Sequence, residues 1–375
     1  MHRTDLGTTR LLARPGERRL WLLDAASAAL WDLHAAGWDT ASLAGLLAER
    51  FGLESDAARA QVLDHEAQWR RVGLLDAATP SDLRLGGPDD PVWPAPRPRP
   101  LPPGSAILTV ADRRIGLAVT AADLRGTLRD WLAPAAGAGT VDHELRLAGT
   151  ADDWHLQLDG TRRTLGTSAD GALVATLSIL TELGCRPAER LLVVHGAGLV
   201  QPDGRGLLLV APGGSGKSTL AAALDAAGYG VLSDDVVPVT LAGDLLGLGL
   251  PLCLKAGSWP VLAQRRPELA QAPTVQRCGQ SVRYLPPRTP GPAHPVTPAR
   301  LVLSHWRPDA PLQAAPLTPD EALQGLITAA AVLRDLTQTK LKSLARWIER
   351  LPAWRLTYPD LDQAHAWLDR SAPAP

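Results

Sequence analysis

The spacing of apolar positions changes several times along the first eighty residues. Thr8 to Arg14 and Arg18 to Leu23 alternate as strands do, and Pro15-Gly16 between them supplies turn chemistry, so a hairpin is expected. From Asp24 onward the spacing becomes helical, with Leu30, Trp31 and Leu33 on one side and Asp24 or Ser27 available as the N-cap. A second helix is expected over Thr40 to Phe51, closed by Gly52. A third is expected over Ser55 to Val72, where Ala58, Val62, Glu66, Trp69 and Val72 share a side before Gly73 ends it. Together these elements predict an α+β, winged-helix-like domain over residues 1–76.

Nine prolines then fall between Pro80 and Pro103, a composition that favours extended polyproline geometry, so residues 77–104 read as a semi-rigid linker. A second domain is expected over 105–375. Its first part mixes strand-like Ala106 to Val110 and Glu144 to Leu147 with helix-like Ala121 to Leu132 and Gly171 to Leu183. Its core, about 190–310, opens on the apolar runs Leu191 to Val194, Leu207 to Val210 and Val231 to Leu232, which read as buried strands in an α/β arrangement. Near the C-terminus Thr318-Pro319-Asp320-Glu321 has the chemistry of a capping box and predicts a helix running toward Leu336.

Composition narrows the function. The chain has 375 residues, more than one small core fills, and 45% of them are apolar. Its 38 basic and 39 acidic side chains nearly cancel, so no global field draws it to nucleic acid or anionic lipid. Residues 1–75 carry nine arginines against ten carboxylates, whereas a DNA-binding winged helix presents a basic surface; no nucleic-acid partner is expected. Three separated cysteines, no secretion-type apolar core after Met1 and no long apolar run predict a cytoplasmic protein without membrane attachment. Only four cations are lysines, Lys217, Lys255, Lys340 and Lys342. Where arginine is the default cation, a lysine is a candidate for chemistry that arginine does not serve.

The first of those lysines lies in Leu207-Leu-Leu-Val210-Ala-Pro-Gly213-Gly214-Ser215-Gly216-Lys217-Ser218-Thr219, an apolar strand followed by a glycine-rich turn and an amphipathic helix. That is the context of a Walker A loop. Glycines let backbone N–H groups converge on phosphate oxygens at a helix N-terminus, Lys217 reaches the β- and γ-phosphates, and Ser218 offers a hydroxyl to Mg2+. Thr219 packs or contacts an inner phosphate. The first glycine of the pattern is replaced by Ala211, followed by Pro212. The expected cofactors are ATP and Mg2+, held by Gly213, Gly214, Ser215, Gly216, Lys217, Ser218 and Thr219.

Two further features suit phosphoryl transfer. The strand Gly230 to Ser233 runs into Asp234-Asp235, two carboxylates that can divide the tasks of holding Mg2+ with Ser218 and of orienting or deprotonating an attacking hydroxyl. A strand-end turn is the plainer reading of the same pair. His195, in Val193-Val194-His195-Gly196-Ala197-Gly198, is a polar ring in an apolar stretch; it can touch a phosphate, tune the aspartates, or be a satisfied core histidine.

The run from His195 through Asp235 resembles HPr kinase/phosphorylase and the HprK-related kinases. Pro251-Leu-Cys-Leu-Lys255-Ala-Gly-Ser258 is similar to a stretch of the related kinases. The resemblance covers about residues 105–370 and implies a mixed-sheet P-loop fold akin to phosphoenolpyruvate carboxykinase, serine phosphorylation, and a site built of His195, Lys217, Ser218, Asp234 and Asp235. It also implies a phosphate-contacting arginine, for which Arg283 and Arg300 are the candidates, and leaves homo-oligomerisation open. Residues 1–76 look like the PqqD family, which binds leader regions of ribosomally made precursor peptides by strand addition, here at Arg18 to Leu23 against the Ser55 to Val72 helix. The fusion resembles kinases of peptide natural-product pathways, including those acting on lasso precursors, so the expected acceptor is a hydroxyl of a precursor peptide. The alternatives are a kinase for a small molecule or carrier protein, and a nucleotide-gated binding module.

Overall fold

A computed structural model describes residues 1–17, 19–75, 94–96 and 100–370. The expected linker over 77–104 falls largely outside the described residues, as does Arg18. The chain divides into two compact units, Met1–Gly87 with Asp335–Glu349, and Pro88–Arg334 with Arg350–Pro375. Both mix helices with sheets.

In the first unit β1 (His2–Leu6), β2 (Thr9–Ala13) and β3 (Leu20–Leu23) form an antiparallel sheet in that order, followed by α1 (Ala25–Ala35), α2 (Thr40–Phe51) and α3 (Ser55–Arg71). The hairpin expected from residue 8 onward gains a third strand. The polar-rich sequence of β1 hides it, because only Leu6 of that strand is fully buried. Asp24, not Ser27, caps α1, accepting from Ser27 N at 2.7 Å, and Gly52 takes the left-handed conformation that ends α2. Tryptophan organises the core. Trp69 stands edge-on to Trp31 with ring centroids 5.3 Å apart and donates to Ser27 Oγ, while Trp21 donates to Val72 O. The helix Gln338–Arg350 belongs mainly to this unit: the Gln338 side-chain amide bonds both Arg3 N and Arg3 O on the outer edge of β1, and Glu349 accepts from Gly7 N.

The second unit opens with a five-stranded mixed sheet of β4 (Ala106–Val110), β5 (Arg113–Val119), β6 (His143–Gly149), β7 (Trp154–Leu158) and β8 (Thr161–Gly166), in that order. The helices α4 (Ala122–Leu132) and α5 (Ala169–Cys185) pack against it; the Ser168 side chain caps α5. Next come β9 (Leu192–Val194), β10 (Gly196–Val200), β11 (Gly206–Val210), α6 (Lys217–Ala226), β12 (Gly230–Ser233) and β13 (Val237–Val239). They are followed by β14 (Leu252–Lys255), α7 (Trp259–Leu262), β15 (Thr274–Arg277), β16 (Gln280–Leu285), β17 (Pro298–Trp306), β18 (Gln313–Pro316) and α8 (Pro319–Thr328). After α9 (Gln338–Arg350), which packs in the first unit, β19 (Ala353–Tyr358) and α10 (Leu361–Asp369) complete the fold.

The central sheet runs β12-β10-β11-β17-β19-β18. Since β11, β17 and β19 are mutually parallel, and β10 is antiparallel to both β11 and β12, the chain leaves β11, β12, β17 and β19 at one and the same sheet edge. Strands β10 and β11 lie so close that a Cβ on Gly196 would stand 2.4 Å from Leu209 O, which explains the glycine after His195. The capping box at Thr318 and Glu321 forms as expected, but α8 stops at Thr328 rather than near Leu336, because Ala330 turns left-handed and Val332 bonds back to Val193.

A wholly buried ion pair fixes the far end of α6. Asp225 accepts from Arg266 Nη1 at 2.5 Å and from the backbone N–H groups of Arg288 and Thr289. Each of these bonds holds the helix that carries Lys217 and Ser218 at its other end. Replacing Asp225 with alanine strands those donors in the core, so Asp225→Ala should cost about 3–5 kcal/mol of stability, read as a lower urea midpoint. A midpoint equal to that of the parent protein would show the pair to be dispensable.

Candidate active site

A cavity of about 720 Å³ opens at the shared edge of the central sheet, lined by His195, Gly213, Gly214, Gly216, Lys217, Ser218, Thr219 and Asp235 among others. The loop after β11 is shaped by backbone conformation. Gly214 and Gly216 have φ of 80° and 89°, a region that β-carbon-bearing residues rarely enter, and a Cβ on Gly213 or Gly214 would meet nothing within 4 Å. The loop therefore turns an open face of backbone toward the cavity at the N-terminus of α6, where the helix dipole favours an anion.

Lys217 is buried, with its ammonium folded onto the loop's own carbonyls, Ala211 O at 2.7 Å and Pro212 O at 3.2 Å. Burial draws its pKa below the ordinary lysine value, and the two aspartates oppose that shift. Ser215 closes the loop on itself by donating to Pro212 O at 2.7 Å, and its side chain is not among those lining the cavity.

The structure separates the adjacent aspartates. Asp234 turns inward, accepting from Ser218 Oγ at 3.0 Å and from Cys253 N at 3.2 Å. Although part of the residue reaches solvent, its carboxyl is enclosed; loss of water around it, with Asp235 adding repulsion, raises its pKa to about 6. Asp235 takes the left-handed conformation at φ 78°, which directs its carboxylate to the cavity. There it stands 3.6 Å from His195 Nδ1 and pairs with Arg277 Nη2 at 3.0 Å. His195 lies at the bend between β9 and β10 rather than inside one strand. Burial lowers its pKa, helped by Lys217 and Arg277 and opposed by Asp235, so the ring favours the neutral form.

Neither arginine singled out from the sequence reaches this place. Arg283 stacks on Trp259 at 4.1 Å and donates to Leu269 O, while Arg300 is buried and donates to Leu368 O. The cation beside the aspartates is Arg277, at the tip of the hairpin between β15 and β16, where Cys278 and Gly279 form a two-residue turn with φ of 49° and 73°. Its other nitrogen donates to Cys253 Sγ at 3.2 Å. The Cys-Gly pair flanked by alternating residues was the one signal in the sequence that could have marked this hairpin. The Pro251 to Ser258 stretch contributes Cys253, Lys255 and Ser258 to the wall.

Among the described residues no group of three or more His, Cys, Asp or Glu side chains is set to hold a metal by itself. A P-loop Mg2+ does not require one, since it keeps most of its shell as water and phosphate oxygens and takes one or two protein oxygens. Ser218 Oγ and Asp234 Oδ1, already in contact, are hard oxygen donors of that kind, so the residues present fit the ion.

Arg277→Gln should raise the His195 pKa, because it removes a cation that opposes the imidazolium and frees the Asp235 carboxylate that favours it. An NMR titration of the imidazole in metal-free protein reads this directly; an unchanged or lower midpoint would contradict the arrangement.

Compared with known proteins, the chain matches no protein-family model and no curated protein.

Proposed function

We propose that this protein is an ATP- and Mg2+-dependent phosphotransferase that moves a γ-phosphoryl group to a hydroxyl. The observation that carries the reading is the contact between Ser218 Oγ and Asp234 Oδ1, which links the end of a P-loop to a carboxylate from another strand while Asp235 and Lys217 face the same cavity. A glycine-rich turn with a structural role alone would have no reason to gather this set.

In this reading the amides of Gly213 to Thr219 and the Lys217 ammonium hold the polyphosphate. Ser218 and Asp234 would hold Mg2+, which would supply positive charge against the polyphosphate. Asp235, with the neutral His195 beside it, orients the acceptor hydroxyl and takes its proton as the new P–O bond forms and ADP leaves. Arg277, paired with the Asp235 carboxylate, keeps it aimed until the acceptor arrives. A protein that uses ATP only to change shape would have no use for Asp235 in this position, and on that ground the kinase is preferred to the gated binding module.

The acceptor proposed is a peptide whose leader is held by the first unit. The support for this is the resemblance of residues 1–76 to PqqD domains and the position of β3 at a sheet edge, paired among the described strands with β2 alone. The other edge, β1, is bonded at Arg3 by Gln338. A small-molecule or carrier-protein acceptor is the rival.

Lys217→Ala should abolish ATP turnover, and Asp235→Asn should slow it on the order of 100- to 10,000-fold while leaving the unfolding midpoint unchanged. The reading fails if Mg-ATP gives the parent protein no thermal stabilisation, or if Asp235→Asn turns over at the parental rate.

Because α9 belongs to the first unit, removing residues 1–76 would strip a helix of its partners; the leader is better tested in the full chain. Replacing Leu20 and Leu22 on β3 with lysine should raise the KM for a leader-bearing peptide and leave Mg-ATP binding unchanged. Equal KM values for peptides with and without a leader would reject leader guidance and favour a small acceptor.

A further inference from the structure

The cavity has two unlike flanks, and the proposed phosphoryl transfer uses only one. Sheet order puts the β12 end, with Asp234 and Asp235, on the β10 side of the P-loop, and puts the ends of β17 and β19 on the opposite side. On that opposite side stand Trp306 and Tyr358, the last residues of their strands and directly paired in register, with Pro359 and Leu361 just beyond. Tyr358 is buried, but Trp306 is 51% exposed, an unusual state for the largest apolar side chain at the rim of a cavity.

The Trp306 ring is fixed rather than free. Its Nε1 donates to Pro359 O at 3.0 Å, and Arg307 N donates to Tyr358 O at 2.9 Å, locking the two strand ends together. The pair abuts the phosphate loop: a Cβ on Gly216 would lie 3.9 Å from Trp306 Cβ and 3.7 Å from Tyr358 Oη. The nearby carboxylates are already engaged. Asp360 accepts from Gln363 N and Nε2, and Asp362 from Arg265. This flank thus offers an aromatic face with its polar edge already bonded.

We infer that Trp306 is the platform on which the base of the bound nucleoside triphosphate stacks, an inference that rests on the nucleotide reading of the P-loop. With Ser218, Asp234 and Asp235 at one end of the loop, the γ-phosphate belongs on their side. The α-phosphate and its nucleoside then leave toward the other side, where the exposed ring covers one face of a planar base. A cavity of about 720 Å³ has room for the whole nucleotide. Stacking of this kind recognises a base by its π-face, so the platform contributes affinity more than discrimination among bases.

The test uses the full chain and two probes, Mg-ATP and Mg-tripolyphosphate, which share the phosphate chain but not the base. Removing a base-stacking aromatic typically weakens binding by roughly 5- to 150-fold, so Trp306→Ala should bind Mg-ATP that much more weakly and tripolyphosphate as the parent does. Trp306→Phe, which keeps a π-face, should recover most of the loss. Parental ATP affinity in Trp306→Ala would overturn the inference and leave the P-loop reading standing. Equal weakening of both probes would also overturn it, since the ring would then be supporting the loop and not the base. Failure of the parent protein to bind either probe would remove the nucleotide reading, and the platform with it.

Discussion

The hydrogen bond from Ser218 Oγ to Asp234 Oδ1 joins the first turn of α6 to the bend after β12, places reached from two strands that are not neighbours, and much of the second unit is arranged so that it can form. Strand β10 lies between β11 and β12, so the loop and the carboxylate start roughly 9–10 Å apart across the sheet, twice the usual strand spacing. The first turn of α6 carries the hydroxyl across that gap. It can do so because α6 is anchored at its far end by the buried Asp225 and Arg266, and because β10 packs flat, with glycines at 196 and 198 where side chains would meet β11 and β13.

The same contact sets the electrostatics. An enclosed carboxyl resists ionisation, and Asp234 accordingly titrates at about 6 with Asp235 as its repelling neighbour. The local fold offsets that repulsion by turning the second aspartate away. The left-handed backbone at Asp235 points its side chain to the cavity and to Arg277, while Asp234 keeps the inward donors Ser218 and Cys253 N. Aspartate is one of the few residues that tolerate this conformation, and a β-branched residue at 235 would be strained there. One pair of identical residues thus acquires two environments, which suits the two roles given to them in the proposed phosphoryl transfer.

Sheet direction organises the rest of the cavity. Four strands of the central sheet deliver their C-terminal ends to one edge. The two sides of the glycine-rich loop differ in the residues at those strand ends: acids after β12, aromatics and proline at the ends of β17 and β19. A binding site at the carboxyl ends of strands is the usual outcome of such an arrangement, since these ends project loops free of the sheet's own hydrogen bonds.

The local features were legible in the sequence because their causes are local. The glycines at 214 and 216, the lysine that opens the helix after them, the cap at Thr318, the choice of Asp24 or Ser27 as the cap of α1, and the Asp234-Asp235 pair at a strand end follow from backbone conformations and spacings within a few residues. The mixed α/β character of the second unit and the helical run of the first were equally visible. Tertiary structure decided what chain separation conceals. The polar first strand is a strand only because β2 pairs with it; α8 ends early because Val332 is recruited by Val193; and α9 packs with residues more than three hundred positions away. Arg277, not Arg283 or Arg300, meets Asp235, because a hairpin tip 42 residues along the chain is folded back onto the β12 turn. Trp306 reaches the glycine-rich loop at Gly216 because parallel pairing of β11, β17 and β19 aligns their ends. No residue spacing encodes such meetings, since each depends on which strands become neighbours and in which direction they run.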